Sequence, residues 1–190
     1  MNIFALCIVF LWLSFWTYWI ISAFGAKKYV RNRDWRQGAI FRVLFIIAIV
    51  LALRVPGVEH FLVTHWVIFT NPVVRGLGVM LCVVGIAFAV WARRYLGRNW
   101  GTPMSLKENA ELVTSGPYRL VRHPIYLGMI IALFGTALVL GGLWLFIFVI
   151  CGSYFAFIAA RVEEHLMTEQ FPDQYPAYKK RTKALIPFVW

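Results

Sequence analysis

The chain predicts an all-α, polytopic membrane protein of about five transmembrane helices, with a helical hairpin near its C-terminal end. Three observations predict it. Of 190 residues, 61% are hydrophobic and the mean hydropathy is +0.71, more than a soluble domain needs for its core. Apolar runs recur at close to the roughly 20 residues that a helix needs to cross a bilayer. The basic residues gather on alternate connections between those runs.

Residues 3–24 form the first expected span. They carry no basic n-region and their basic flank follows them, so a retained span is expected and not a cleaved signal. Residues 39–53 and 76–92 are shorter and reach span length through flanking aromatic and snorkelling basic side chains. Residues 61–74 are apolar but broken by His65, Asn71 and Pro72, and a re-entrant or interfacial segment is expected there. Residues 125–140 and 142–160, divided by Gly141-Gly142, complete the five as the hairpin. Residues 1–92 thus read as a membrane scaffold, and residues 93–190 as the half that carries chemistry. Gly128, Ala132 and Thr136, like Gly152, Ala156 and Ala160, recur every fourth residue. Small residues at that spacing let membrane helices approach closely, which is expected to close the hairpin. Cys7, Cys82 and Cys151 all fall inside spans and read as packing residues.

The net charge of +11 does not point to nucleic acid, because of where it lies. All but Arg54 and Arg75 of the 19 Lys and Arg follow the first, third or fifth span. That asymmetry places the N-terminus outside and the C-terminus in the cytoplasm, and an odd span count agrees with it. The same basic side faces anionic lipid headgroups.

Between Arg93 and His123 runs a polar loop of about thirty residues, long enough to suggest function. Its Gly97, Gly101, Pro103 and Gly116-Pro117 predict mostly irregular backbone. From Pro124 to Gly141 is 17 positions, and from Gly142 to Ala160 is 18. At about 1.5 Å of rise per residue the hairpin returns to the level at which it began. Arg122-His123-Pro124 and Glu163-Glu164 therefore meet at one membrane surface. Past Ala160 the fifth helix is expected to continue into the cytoplasm until Pro172 stops it. Tyr175, Tyr178 and Lys179-Lys180-Arg181 then suit the headgroup layer.

Pro124 suits the first helical position, which stands His123 at the helix N-terminus, where carboxylate or phosphate binds. Arg122 adds positive charge. Glu163 and Glu164 opposite suit an ammonium group or a ribose. Singly, each has a plainer reading, as a topology charge, a loop histidine or solvated helix-end acids; gathered at one level they read as a site for a ligand bearing both carboxylate and ammonium. Other chemistries fit poorly. His60, His65, His123 and His165 lack paired ligand spacing, so no metal is expected. There is no P-loop and no dinucleotide glycine fingerprint. Asp34 and Asp173 are the only aspartates, and no nucleophile elbow accompanies them.

Residues 112–128, with Gly116-Pro117-Tyr118-Arg119 and Arg122-His123-Pro124-Ile125-Tyr126, resemble the integral-membrane methyltransferases typified by isoprenylcysteine carboxyl methyltransferase, and the related phospholipid methyltransferases. The resemblance continues through Glu163-Glu164, Phe171, Tyr175, Tyr178, Lys179-Lys180-Arg181 and Pro187, and begins near Leu96; the first half is similar in topology only. It implies methyl transfer from S-adenosylmethionine, held in a cytoplasm-facing pocket outside any Rossmann fold. It implies that His123, Tyr126, Glu163 and Glu164 line the cofactor, with Lys107, Leu112, Val113 and Tyr118 contributing from the loop. Arg122 and Arg181 match family arginines associated with the reacting carboxylate, the catalytic pair by this resemblance. The implied reaction is in-line displacement at the sulfonium methyl, to which the protein supplies alignment and field. The implied acceptor is lipophilic and enters laterally. A carboxylate needs no general base; a phospholipid amine or a thiol would need Tyr118, Tyr126 or His123 to take a proton. The expected location is the bacterial inner membrane. A non-catalytic assembly or lipid-binding protein on the same scaffold is the alternative from another class. A membrane reductase of the sterol-reductase type is disfavoured, since no dinucleotide phosphate site is evident.

Overall fold

In the computed structural model, which describes residues 2–24, 29–32, 71–100, 105–107 and 111–186, helix α1 (Ile3–Ala23) starts where the Asn2 side chain accepts from the Ala5 amide at 2.9 Å. Such a cap satisfies one of the amides that a helix start leaves unpaired. Strand β1 (Tyr29–Asn32) follows. Helix α2 (Pro72–Leu96) has the same kind of start, with the Asn71 side chain accepting from the Val73 amide at 2.8 Å and Pro72 in its first turn. Asn71 and Pro72 are therefore helix-start signals and not interruptions, and Val73 and Val74 belong to this span. The remainder of the expected re-entrant stretch, and the expected span at residues 39–53, lie outside the described residues.

Among the described residues, the connection after α2 carries three short elements within otherwise irregular backbone. A 3-10 turn (Gly97–Asn99) ends the helix, and a second (Gly116–Arg119) precedes the Arg122 corner. Between them strand β2 (Ser105–Lys107) pairs antiparallel with β1, Tyr29 opposite Lys107 and Asn32 opposite Ser105. An all-α description thus needs one correction, a two-stranded ribbon joining the segment after α1 to the segment after α2. Strands of three and four residues are too short to show an alternating pattern in sequence.

Helices α3 (Pro124–Leu140) and α4 (Leu143–Gln170) form the hairpin, turned by Gly141 at φ 75°. At about 1.5 Å per residue, α4 is roughly 42 Å long, more than the roughly 30 Å hydrocarbon core, so its last turns stand beyond the membrane. Helix α5 (Tyr175–Arg181) follows the Pro172 turn. Among the described residues three helices are long and apolar enough to cross a membrane, in the ranges Ile3–Ala23, Pro72–Asn99 and Leu145–Gln170; α3 is a shorter apolar helix.

Among the described helices the closest pair is α2 with α3, not the hairpin. A Cβ on Gly128 would lie 2.6 Å from the Gly85 carbonyl oxygen, and one on Gly135 2.5 Å from that of Gly78. Ala132 also packs on Gly85. The small residues of α3 therefore receive α2, whereas Gly152 of α4 meets only the Leu133 Cδ1 at an ordinary 3.5 Å. Helix α1 joins this pair through Ile8, packed with Cys82, Ala132 and Val139. Its Trp12 Nε1 donates to the Thr136 hydroxyl at 3.0 Å. At the other end Arg93, buried, donates to the carbonyls of Ser22 and Gly97 and lies 4.5 Å over the Trp100 ring, which meets Trp19 edge-on. The C-terminal ends of α1 and α2 are thereby fastened at one level.

Candidate functional site

Helix α3 begins at His123, whose backbone amide donates to the Ala184 carbonyl at 3.0 Å and whose carbonyl accepts from Leu127. Arg122 donates its amide to the Lys183 carbonyl at 2.8 Å, and Val121 and Lys183 form a parallel bridge. The segment after α5 is thus hydrogen-bonded along the corner that starts α3. Thr182, Ala184 and Leu185 are buried there.

The hairpin brings Glu163 and Glu164 back to this corner. The His123 imidazole is buried between them, with Nδ1 3.4 Å from Glu163 Oε2 and Nε2 3.5 Å from Glu164 Oε1. Its ring stacks on Tyr126 with centroids 5.7 Å apart, and the Tyr126 hydroxyl donates to Glu163 Oε1 at 2.6 Å. The Nε2 atom is buried without a hydrogen-bond partner among the described residues. Burial opposes a charge on this imidazole, but the two carboxylates outweigh it and hold its pKa above the ordinary histidine value.

The two glutamates are not equivalent. Glu164 is 6% exposed and fully engaged: Oε1 accepts from Arg122 Nε at 2.8 Å and from Nη2, and Oε2 lies 2.7 Å from Lys179 Nζ. Glu163 is 26% exposed. The Arg122 side chain, 8% exposed, also donates through Nη1 to the carbonyls of Lys179 and Thr182. Tyr118 is buried beneath, its carbonyl accepting from the Tyr178 hydroxyl at 2.5 Å. Burial first, and then the charge of Glu163, push the Tyr118 pKa well above the usual phenol.

Arg122, His123, Tyr126, Glu163 and Glu164 are therefore together, with Tyr118 buried close by. Arg181 is not with them: it is exposed and its Nε donates to Ala177 of its own helix. Leu112 and Val113 are half-buried in the segment entering the second 3-10 turn. Lys107 stands in β2, opposite Tyr29. Tyr175 and Tyr178 are buried against the site and not exposed to headgroups; on α5 they sit three apart, one face of a helix, and that face packs inward. Sequence reasoning missed Lys179 as the partner of Glu164 because it counted the basic run as one surface feature. Among the described residues no group of three His, Cys, Asp or Glu side chains is disposed to hold a metal ion.

Comparison with known proteins matches residues 73–174 to the family model described as phospholipid methyltransferase. That range spans α2, the connection, the hairpin and both glutamates. The nickel-cobalt-cadmium resistance protein NccN of Alcaligenes xylosoxydans xylosoxydans is 28% identical over 78% of this chain and 63% of its own length. Methanethiol S-methyltransferase 1 of Bradyrhizobium diazoefficiens is 38% identical over 37% of this chain and 24% of its own. Protein-S-isoprenylcysteine O-methyltransferase B of Arabidopsis thaliana is 29% identical over 70% of this chain and 64% of its own. The chain thus spans less than two thirds of the length of each of these relatives. In fold it is similar to the eukaryotic intramembrane Ras methyltransferase ICMT, with a TM-score of 0.61 and 24% identity over 84% of this chain and 55% of that one. With the family model covering more than half of its length, the chain belongs to the phospholipid methyltransferase family.

Proposed function

We propose that this protein transfers a methyl group from S-adenosylmethionine to a lipophilic carboxylate at the cytoplasmic face of a membrane. The observation that carries this reading is the arrangement of Glu163, His123 and Tyr126 at the start of α3. A partly exposed carboxylate and a buried imidazole stand together there, beside a helix N-terminus with no side-chain cap. These residues fit the cofactor: its amino-acid carboxylate suits the first-turn amides of α3, and its ammonium or ribose suits Glu163. When bound, the cofactor supplies a methyl group already activated on sulfur. Lys107, Leu112, Val113 and Tyr118 are assigned by family likeness to the rest of the pocket.

The carboxylate acceptor is favoured over a thiol or an amine by the state of the candidate bases. His123 is held protonated to higher pH by the glutamates, Tyr118 is held neutral by burial, and the Tyr126 hydroxyl is engaged in donating to Glu163. The two phenols are therefore not poised to take a proton, and the glutamates draw His123 toward its protonated form. A carboxylate needs no base. A thiol acceptor is the second reading, supported by the methanethiol methyltransferase likeness over 71 residues.

Residues 93–190 are the proposed catalytic half and residues 1–92 the scaffold, with five spans in an inner membrane. The shared level of the α1 and α2 C-terminal ends at Arg93 supports that topology. The test is calorimetric titration of the detergent-purified and nanodisc-embedded protein with S-adenosylhomocysteine, beside His123→Ala and Glu163→Ala. Micromolar-range binding lost in both variants supports the reading, and no binding by folded protein overturns it. Labelled methyl transfer to an S-prenylated cysteine against a small alkylthiol then separates the two acceptors.

A further inference from the structure

The adjacent glutamates have divided the work, and this inference rests on the methyltransferase reading. We propose that Glu164 is a positioning residue and not a cofactor ligand: with Arg122 and Lys179 it forms an ion clasp that fastens residues 182–185 across the start of α3, while Glu163 alone presents a carboxylate to the ligand.

Three observations carry this. First, Glu164 has little left to offer a ligand. Both of its oxygens are engaged by cations of the protein, Arg122 on one and Lys179 on the other, and it is buried. Second, Arg122 is committed in the same direction. Four of its five N–H donors have described partners, two directed to Glu164 and two to the carbonyls of Lys179 and Thr182. Those carbonyls lie at the end of α5, where a helix leaves its last acceptors unpaired, so Arg122 caps α5 while gripping α4. Third, the chain beyond that cap runs straight onto the ligand-bearing corner, with Lys183 and Ala184 accepting from the amides of Arg122 and His123.

The clasp therefore joins three segments that are distant in sequence: the Arg122 corner, the end of α4 and the tail after α5. His123 is bound into it by its backbone, and its side chain lies between Glu163 and Glu164. Undocking the tail would free the His123 amide and loosen the ring that Glu163 and Tyr126 address. Ligand binding and tail docking should then be coupled, and such coupling is reciprocal.

The test uses the full chain in detergent. Trypsin cleavage after Lys183 reads tail docking, because the bond there is paired with the corner and a protease needs it undocked. It is measured without ligand and again with saturating S-adenosylhomocysteine, and the Kd is measured separately. Lys179→Met removes one partner of Glu164 without altering a carboxylate. It is expected to speed cleavage several-fold, to weaken S-adenosylhomocysteine binding several-fold, and to regain protection when the ligand saturates. Glu164→Gln should do the same more strongly. Glu163→Gln should lose binding by tenfold or more with unliganded cleavage unchanged. The proposal is overturned if Glu164→Gln loses binding while the tail stays protected, or if Lys179→Met leaves affinity unchanged. It is overturned too if cleavage rises in the variants but ligand does not restore protection, since a merely structural clasp would behave that way. Failure of the wild-type protein to bind S-adenosylhomocysteine would instead count against the methyltransferase reading, and the unliganded cleavage rates would still report the clasp.

Discussion

His123 is the residue at which burial and charge compete most directly. Its imidazole faces Glu163 and Glu164 from α4, stacks on Tyr126, and lies near the cations Arg122 and Lys179 that hold Glu164. Burial lowers its pKa and the carboxylates raise it, with a net rise. The sign for stability follows from that direction. Between the unfolded value of about 6.5 and the higher native value, the folded protein keeps a proton that the unfolded chain has lost. The stabilising contribution is complete below about pH 6.5 and declines as pH rises through the native pKa. The difference in Tm between the wild type and His123→Asn, measured in detergent without ligand, is therefore expected to shrink as pH is raised from 6.5, a range set by the reference pKa of about 6.5. A difference that stays flat across that range would mean that the native imidazole is neutral, and would remove the electrostatic account of its burial.

At the scale of elements, the site depends on how α3 is held, and α2 holds it. A Cβ at Gly128 would stand 2.6 Å from one backbone oxygen and 2.8 Å from the Ala89 amide nitrogen. Backbone atoms cannot swing aside, so the helices themselves must part. Gly128→Val is expected to cost about 1–3 kcal/mol by overpacking, and to weaken cofactor binding because α3 carries His123 and Tyr126. Gly76→Ala, in α2 with nothing within 4 Å, should be neutral or slightly stabilising through helix propensity. Gly152→Ala should be tolerated, since its nearest neighbour is a side chain at 3.5 Å. Thermal unfolding in one detergent reads all three; equal losses at Gly128 and Gly152 would return the close packing to the hairpin. This contact also marks what sequence can carry. The meeting of His123 with Glu163 and Glu164 was legible because it depends only on helix lengths about Gly141-Gly142. The partner of the small-residue stripe was not, because periodicity identifies a face and not what lies against it. A signal did exist: Gly78 and Gly85, like Gly128 and Gly135, are seven apart, two turns of helix, and antiparallel packing pairs them in reverse order. The tail lying along Val121 and His123 left no signal at all, since main-chain pairing imposes no residue type.

For the whole molecule, function requires that the site face the compartment that supplies the cofactor. The C-terminal ends of α1 and α2 meet at Arg93, the ribbon of β1 and β2 extends from those ends, and the start of α3 with the end of α4 lies beyond the return of the hairpin. The basic residues follow the same division, with only Arg54 and Arg75 assigned opposite. Positive residues resist translocation, so the proposed topology, with the basic residues of a +11 chain on one side, puts the site on the cytoplasmic side. Labelling with a membrane-impermeant maleimide checks this against the wild-type background of Cys7, Cys82 and Cys151. Thr114→Cys, at an exposed position before the Arg122 corner, is expected to be labelled in inverted membrane vesicles and protected in intact cells. Leu140→Cys, exposed at the hairpin turn, is expected to show the reverse. If both patterns are inverted, the clasp and Glu163 face outward and a cytoplasmic methyl donor could not reach them. If both positions label from one side only, the hairpin does not cross the membrane, and the level at which His123 meets Glu163 owes nothing to the bilayer.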